Sequence, residues 1–235
     1  MFGLFPRGLH LYPLCMNLAL AGLSYGITVV ALVLLAVRTK KLIGIYKKGQ
    51  PDSTRGNDKK QRFSMAFREI FGHTKMFNFS VVGLAHWFVM VGFFVLFGTL
   101  ATAYGQIINP YFALPVIGHF WVYEYITELI AWATGISIVA LIGIRQVTLR
   151  TNKRSRFAGS GNGKAYYVEA TILLIVFCVI ALRGLEGALS DETAWNRHFI
   201  TTWFIAAMFK SMTLTQLENW IQIVATIKIV GSMAW

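Results

Sequence analysis

Long uncharged runs alternate with short basic segments along this chain, and the alternation predicts helices that cross a bilayer. Residues 18–37 form twenty consecutive positions without a charge, and about twenty are needed to span the hydrocarbon. Further apolar runs cover about 79–103, 126–144, 165–182 and 220–235. The run 199–209 is eleven residues, too short to cross, and reads as an interfacial or re-entrant helix. Segment 62–75 places Phe63, Phe67, Ile70 and Phe71 at helical intervals among basic residues, the pattern of an amphipathic surface helix. The expected fold is an all-α membrane protein with a five-helix bundle.

Charge orients the bundle. Seventeen of the 22 Lys and Arg residues fall within 38–75 and 145–164. The alternate side receives Arg7, Arg183, Arg197 and Lys210, and Lys228 lies within the last run. By the positive-inside rule the two basic loops are cytoplasmic and the N-terminus is outside. Arg7 alone precedes the first run, which is longer than a signal-peptide core, so no cleavable signal is expected. The last run reaches residue 235 after sixteen positions without an inner anchor. Either that helix is shallow or the chain is the front part of a longer polypeptide, and the second is expected.

Composition narrows the classes. Apolar residues make up 56% and charged residues 14%, which excludes most soluble readings. The net charge of +12 belongs to segments that flank apolar spans, so an anionic inner leaflet explains it without nucleic acid. Cys15 and Cys178 are too few for an iron–sulfur cluster, which takes about four thiolates. They read as small apolar fillers. No nucleophile triad, phosphate loop or zinc motif is present.

His86 is the sharpest candidate. It lies seven residues past the start of the second run, about 10 Å into the membrane. Gly83, Met90 and Phe93 stand one or two turns from it. A glycine there lets a flat macrocycle approach, and neutral imidazole is a common axial ligand to haem iron. The other reading is an imidazole hydrogen-bonded across the bundle, with glycines serving helix packing. His119 and His198 belong to the outer side, as a second haem, a metal site, a proton path or plain interfacial residues. His73 at the inner interface and Lys228 in the last run are candidates for a quinone or propionate contact. Glu128 and Glu169 lie just inside spans three and four, and Arg183 and Glu186 form an i,i+3 pair.

The blocks GHTKMFNFSVVGLAHWFVMVGF (72–93), TAYGQIINPYFALPVIGHF (102–120), ELIAWATG (128–135), RSRFAGS (154–160) and LRGLE (182–186) resemble one bacterial family. It is the membrane-bound iron–sulfur oxidoreductases related to heterodisulfide reductase, whose N-terminal part is similar to the cytochrome b (gamma) subunit of respiratory nitrate reductase. The resemblance implies a quinone-linked oxidoreductase of the bacterial plasma membrane. Electrons would pass from electron-transfer flavoprotein, reduced in fatty-acid β-oxidation, through cytoplasmic iron–sulfur clusters and b-type haem to menaquinone. It also implies that His86 is the haem ligand, with Gly83 at the haem. The gamma subunit's outer ligand position falls at Leu96, which cannot bind iron. The second axial ligand is expected beyond Trp235, with Met233 the alternative within the chain, and the cluster domain is expected beyond Trp235 as well. A non-redox membrane anchor that docks a cytoplasmic partner through the basic loops is the alternative function.

Overall fold

The computed structural model describes residues 14–50, 58–72, 74, 80–151 and 162–234. These fold into seven helices: α1 (Leu14–Tyr46), α2 (Lys59–Gly72), α3 (Ser80–Ile108), α4 (Trp121–Thr151), α5 (Asn162–Leu189), α6 (Trp203–Phe209) and α7 (Leu214–Met233). Four of them, α1, α3, α4 and α5, are long and apolar enough to cross a membrane. The described residues are all-helical, with the four long apolar helices of a multi-pass membrane protein.

Helices α3, α4, α5 and α7 close a ring, each packed on the next, and α1 lies outside against α7 and α3. One apolar cluster joins α3, α5 and α7 through Ala103, Ile107, Leu182, Leu185, Ile221, Ala225 and Ile229, and it includes Cys178. A second joins α3, α4 and α5 through Leu96, Ala131, Val176 and Val179. Glycines bring the backbones close, as small residues do in membrane bundles. A Cβ at Gly92 would meet Thr134 of α4, and one at Gly184 would meet Ile205 of α6.

Helix α7 differs in kind from the four apolar spans. Ten of its residues are buried, among them Glu218, Gln222, Thr226 and Lys228. It begins at Leu214 rather than near 220, because Thr213 and Gln216 form a reciprocal capping box that satisfies backbone donors at its start. The other long helices also outrun the expected spans. Helix α1 continues through Arg38, Lys40 and Lys41, whose long stems allow the charges to reach the interface.

The expected short helix at 199–209 is confined to α6, and the reason is Glu128. Its Oε2 accepts from the Thr201 backbone N–H at 2.8 Å and the Thr201 hydroxyl at 2.7 Å, and its Oε1 accepts from the Thr202 hydroxyl at 2.8 Å. Those bonds hold residues 200–202 in a turn ahead of Trp203. Helix α2 buries none of its residues. It meets the bundle where the Phe71 ring lies 5.5 Å from that of Phe94, well along α3 rather than at its start.

Candidate functional site

Polar side chains converge at the end of the bundle that carries the connections 109–120 and 190–202. There a cavity of about 1010 Å³ lies between α3, α4, α5 and α7. Its walls combine apolar groups, such as Val179, Leu182 and Phe112, with Gln106, Tyr123, Glu124, Arg183, Glu186 and His198. Thr99 and Lys228 lie deepest. Thr99 stands nine residues before the end of α3, about 14 Å along the helix axis.

Arg183 organises the rim. Its guanidinium bonds Glu186 at 2.9 Å, and contacts Glu124 at 3.5 Å and Glu128 at 3.3 Å. It also donates to the backbone carbonyl of His198 and stacks 4.4 Å from the centre of the Phe199 ring. Three carboxylates thus share one guanidinium. Such a buried cluster needs complete hydrogen bonding to persist in a low-dielectric interior. It has it: Gln106 donates to Glu186, and the Thr201 and Thr202 bonds complete Glu128.

His198 bridges this cluster to the outside. Its Nδ1 lies 2.6 Å from Glu124 Oε2, and its side chain is 38% exposed while that of Glu124 is 6% exposed. The loop that presents it is shaped by Asn196, whose Oδ1 accepts from the N–H groups of His198 and Phe199. Asn196 Nδ2 in turn donates to Glu192 at 2.7 Å. Asp191 supplies the left-handed residue that ends α5 (φ 57°), and the Glu192 N–H returns to the Gly187 carbonyl.

Lys228 is 1% exposed. Its ammonium donates to the Thr99 carbonyl at 2.8 Å and the Thr99 hydroxyl at 2.7 Å. In its charged form the group has three N–H donors, of which two are occupied by α3. Nearby, the buried hydroxyls of Tyr123 and Thr127 line the cavity beside one another, with no hydrogen-bond partner beyond each other. Polar groups buried in this way need a partner.

The expected site residues are therefore divided between two ends. His119 and His198 line the same cavity, with His119 exposed at its edge. Lys228 forms its floor. His86 stands at the other end of α3, thirteen residues from Thr99, about 20 Å away along the axis. His86 is exposed, whereas Gly83 is buried, so the two face different surroundings. Phe93, on the His86 side, is 63% exposed. His73 lies outside the described residues.

His86 is the residue that would hold a b-type haem, through its imidazole. The large cavity does not reach His86, and the other described histidines, His119 and His198, lie at the opposite end. The described residues contain no group of three or more His, Cys, Asp or Glu placed to hold a metal ion.

Sequence reasoning missed Gln106, Tyr123, Glu124 and Thr127. Glu124 and His198 stand 74 positions apart, so no local spacing announces the pair. Compared with known families, curated proteins and solved structures, the chain matches none.

Proposed function

We propose that this chain is the membrane part of a quinone-linked oxidoreductase and that its large cavity receives the quinone headgroup. The observation that carries this reading is the buried Lys228 ammonium at the floor of that cavity, with one N–H beyond the two that Thr99 accepts. A quinone presents two carbonyl acceptors across a flat apolar ring. The cavity offers the matching chemistry: buried donors on Lys228, Tyr123 and Thr127, and apolar walls from Val179, Leu182 and Leu189. Ligand sites are typically of this type, mostly apolar with a few convergent polar groups.

Reduction of one quinone to quinol consumes two electrons and two protons. In this reading the electrons originate in electron-transfer flavoprotein and arrive through iron–sulfur clusters outside these residues, and menaquinone is the acceptor. His86, near the cytoplasmic end of α3, is the residue that would hold a b-type haem, which would supply electron transfer between the cytoplasmic clusters and the cavity at the other end of the bundle. The reading carries a fifth membrane-crossing helix at α7, an outside N-terminus, cytoplasmic basic loops and a bacterial plasma membrane. The charge distribution along the sequence supports that orientation.

The test is titration of a short-tailed menaquinone into the purified chain in detergent, followed by quenching of tryptophan fluorescence. Saturable binding that weakens in Lys228→Met supports the reading. Lack of saturable binding sinks it. A visible spectrum of the same sample, with and without His86→Ala, decides the haem separately.

One observation favours a second reading, a membrane anchor that docks a cytoplasmic partner. Helix α2 leaves Phe63, Phe67, Ile70 and Phe71 exposed beside Lys59, Lys60, Arg62 and Arg68. Deleting 59–72 would then abolish partner recruitment and leave quinone binding intact.

A further inference from the structure

We infer that His198 and Glu124 form a proton relay from the aqueous end of the bundle into the cavity, an inference that rests on the quinone reading. The geometry is a chain of three contacts. His198 is partly exposed at the rim, its Nδ1 is 2.6 Å from Glu124 Oε2, and Glu124 is buried and lines the cavity. Imidazole suits such a shuttle because one nitrogen takes a proton while the other gives one up.

The electrostatics favour proton entry. Within the cluster, Glu124, Glu128 and Glu186 face the single guanidinium of Arg183. Glu192 stands at the same end, bonded to Asn196, and His119 lines the edge. The one other cation lining the cavity is Lys228, at its floor. Carboxylates in excess over cations draw a proton inward, and Arg183 keeps the cluster from losing its shape as that proton moves. Glu128 is committed to Thr201 and Thr202, and Glu186 to Gln106 and Arg183. Glu124 is the acid whose second oxygen meets a titratable group that reaches water.

The step balances as follows. Water at the rim protonates His198 Nε2, and the Nδ1 proton passes to Glu124 Oε2. The Glu124 carboxylic acid then gives its proton to an oxygen of the quinone, which has received one electron from the iron–sulfur clusters that reduced electron-transfer flavoprotein supplies in the quinone reading. His198, neutral again with its proton on Nε2, resets to the Nδ1–H tautomer, and the cycle repeats for the second proton and second electron.

The experiment uses the full protein with its reducing partner in liposomes that contain menaquinone. Proton transfer by a positioned group typically contributes about a hundredfold or more. His198→Ala is expected to slow quinone reduction at saturating menaquinone by about that factor, and to recover with added imidazole. Glu124→Gln, nearly isosteric, is expected to slow it equally without imidazole rescue. It should also erase a protonated-carboxyl band from the quinone-minus-quinol infrared difference spectrum. The relay is overturned if His198→Ala turns over at the unaltered rate, or if imidazole fails to restore it while the carboxyl band survives in Glu124→Gln. Failure of the unaltered protein to bind menaquinone is a separate result, which removes the quinone reading itself.

Discussion

The Lys228 ammonium of α7 is bonded twice to one residue of α3, at 2.8 Å to the Thr99 carbonyl and 2.7 Å to its hydroxyl. No carboxylate lies within 4 Å of it among the described residues. A buried ammonium without an anionic partner costs stability. In the proposed reading its place at the cavity floor serves binding rather than folding.

Lys228→Met separates those two roles. Met keeps the length and apolar volume of the side chain but removes the charge. Hydrogen bonds to charged groups contribute about 1.5–3 kcal/mol, so menaquinone affinity should fall about ten- to hundredfold. The thermal midpoint in detergent should stay level or rise, because the desolvation cost is gone. A fall in the midpoint together with unchanged affinity would show that Lys228 is structural.

Glu128 has the opposite character. It accepts from Thr201 twice, from Thr202 and from Arg183, and is 1% exposed. Glu128→Ala leaves a buried guanidinium with fewer partners and frees the chain before α6. Breaking a buried charge pair costs about 3–5 kcal/mol, and Glu128→Gln should lose less because its carbonyl still accepts. The measurement is thermal unfolding, paired with limited trypsin cleavage at the exposed Arg197 and Lys210. Cleavage there should speed up in Glu128→Ala. Equal rates would refute the anchoring role.

Some of this was legible in the sequence. The long apolar runs foretold α1, α3, α4 and α5, because burial in hydrocarbon demands an unbroken apolar segment whatever its neighbours. Arg183 and Glu186 were legible as one helical turn, and they do pair at 2.9 Å. Lys228 stood out because a charge inside an apolar run needs an explanation. The start of α7 was missed, since Thr213 and Gln216 act through the backbone and leave no apolar signal. The cavity was missed for a different reason: its lining runs from Thr99 to Lys228 and exists only once four helices have met. His86 marks the limit of reasoning by depth. Position along α3 gives its distance from the helix start, but packing decides that it is exposed while Gly83 is buried.

The seat of α6 on α5 supplies a third prediction. An added Cβ at Gly184 would come within 2.4 Å of the Ile205 side chain. Gly187 is next to it, 2.9 Å from the Ala206 Cβ by the same construction. Gly184→Leu therefore displaces α6 from the cavity end, and overpacking of this sort costs about 1–3 kcal/mol. A paired Ile205→Ala should restore much of the loss. Lack of recovery in the double variant, read by thermal unfolding, would place the strain elsewhere.

The connection between α3 and α4 holds a strained residue. Val116 has φ 69° and is 98% exposed, so a β-branched side chain occupies left-handed backbone with nothing packed on it. That conformation costs an L-residue about 1–2 kcal/mol. Val116→Gly removes the clash of Cβ with the backbone, but it also gives the unfolded chain more freedom, which returns about 0.5–1 kcal/mol of the gain. The net expectation is a stabilisation of up to about 1 kcal/mol. Val116→Ala should change little, because its Cβ keeps the strain. Residues 110–114 and Gly118 of the same connection wall the cavity. If the strain is local to Val116, menaquinone affinity in Val116→Gly stays as it was while the thermal midpoint rises. A rise in stability with a loss of affinity would mean that the strained turn holds the cavity wall in its binding shape.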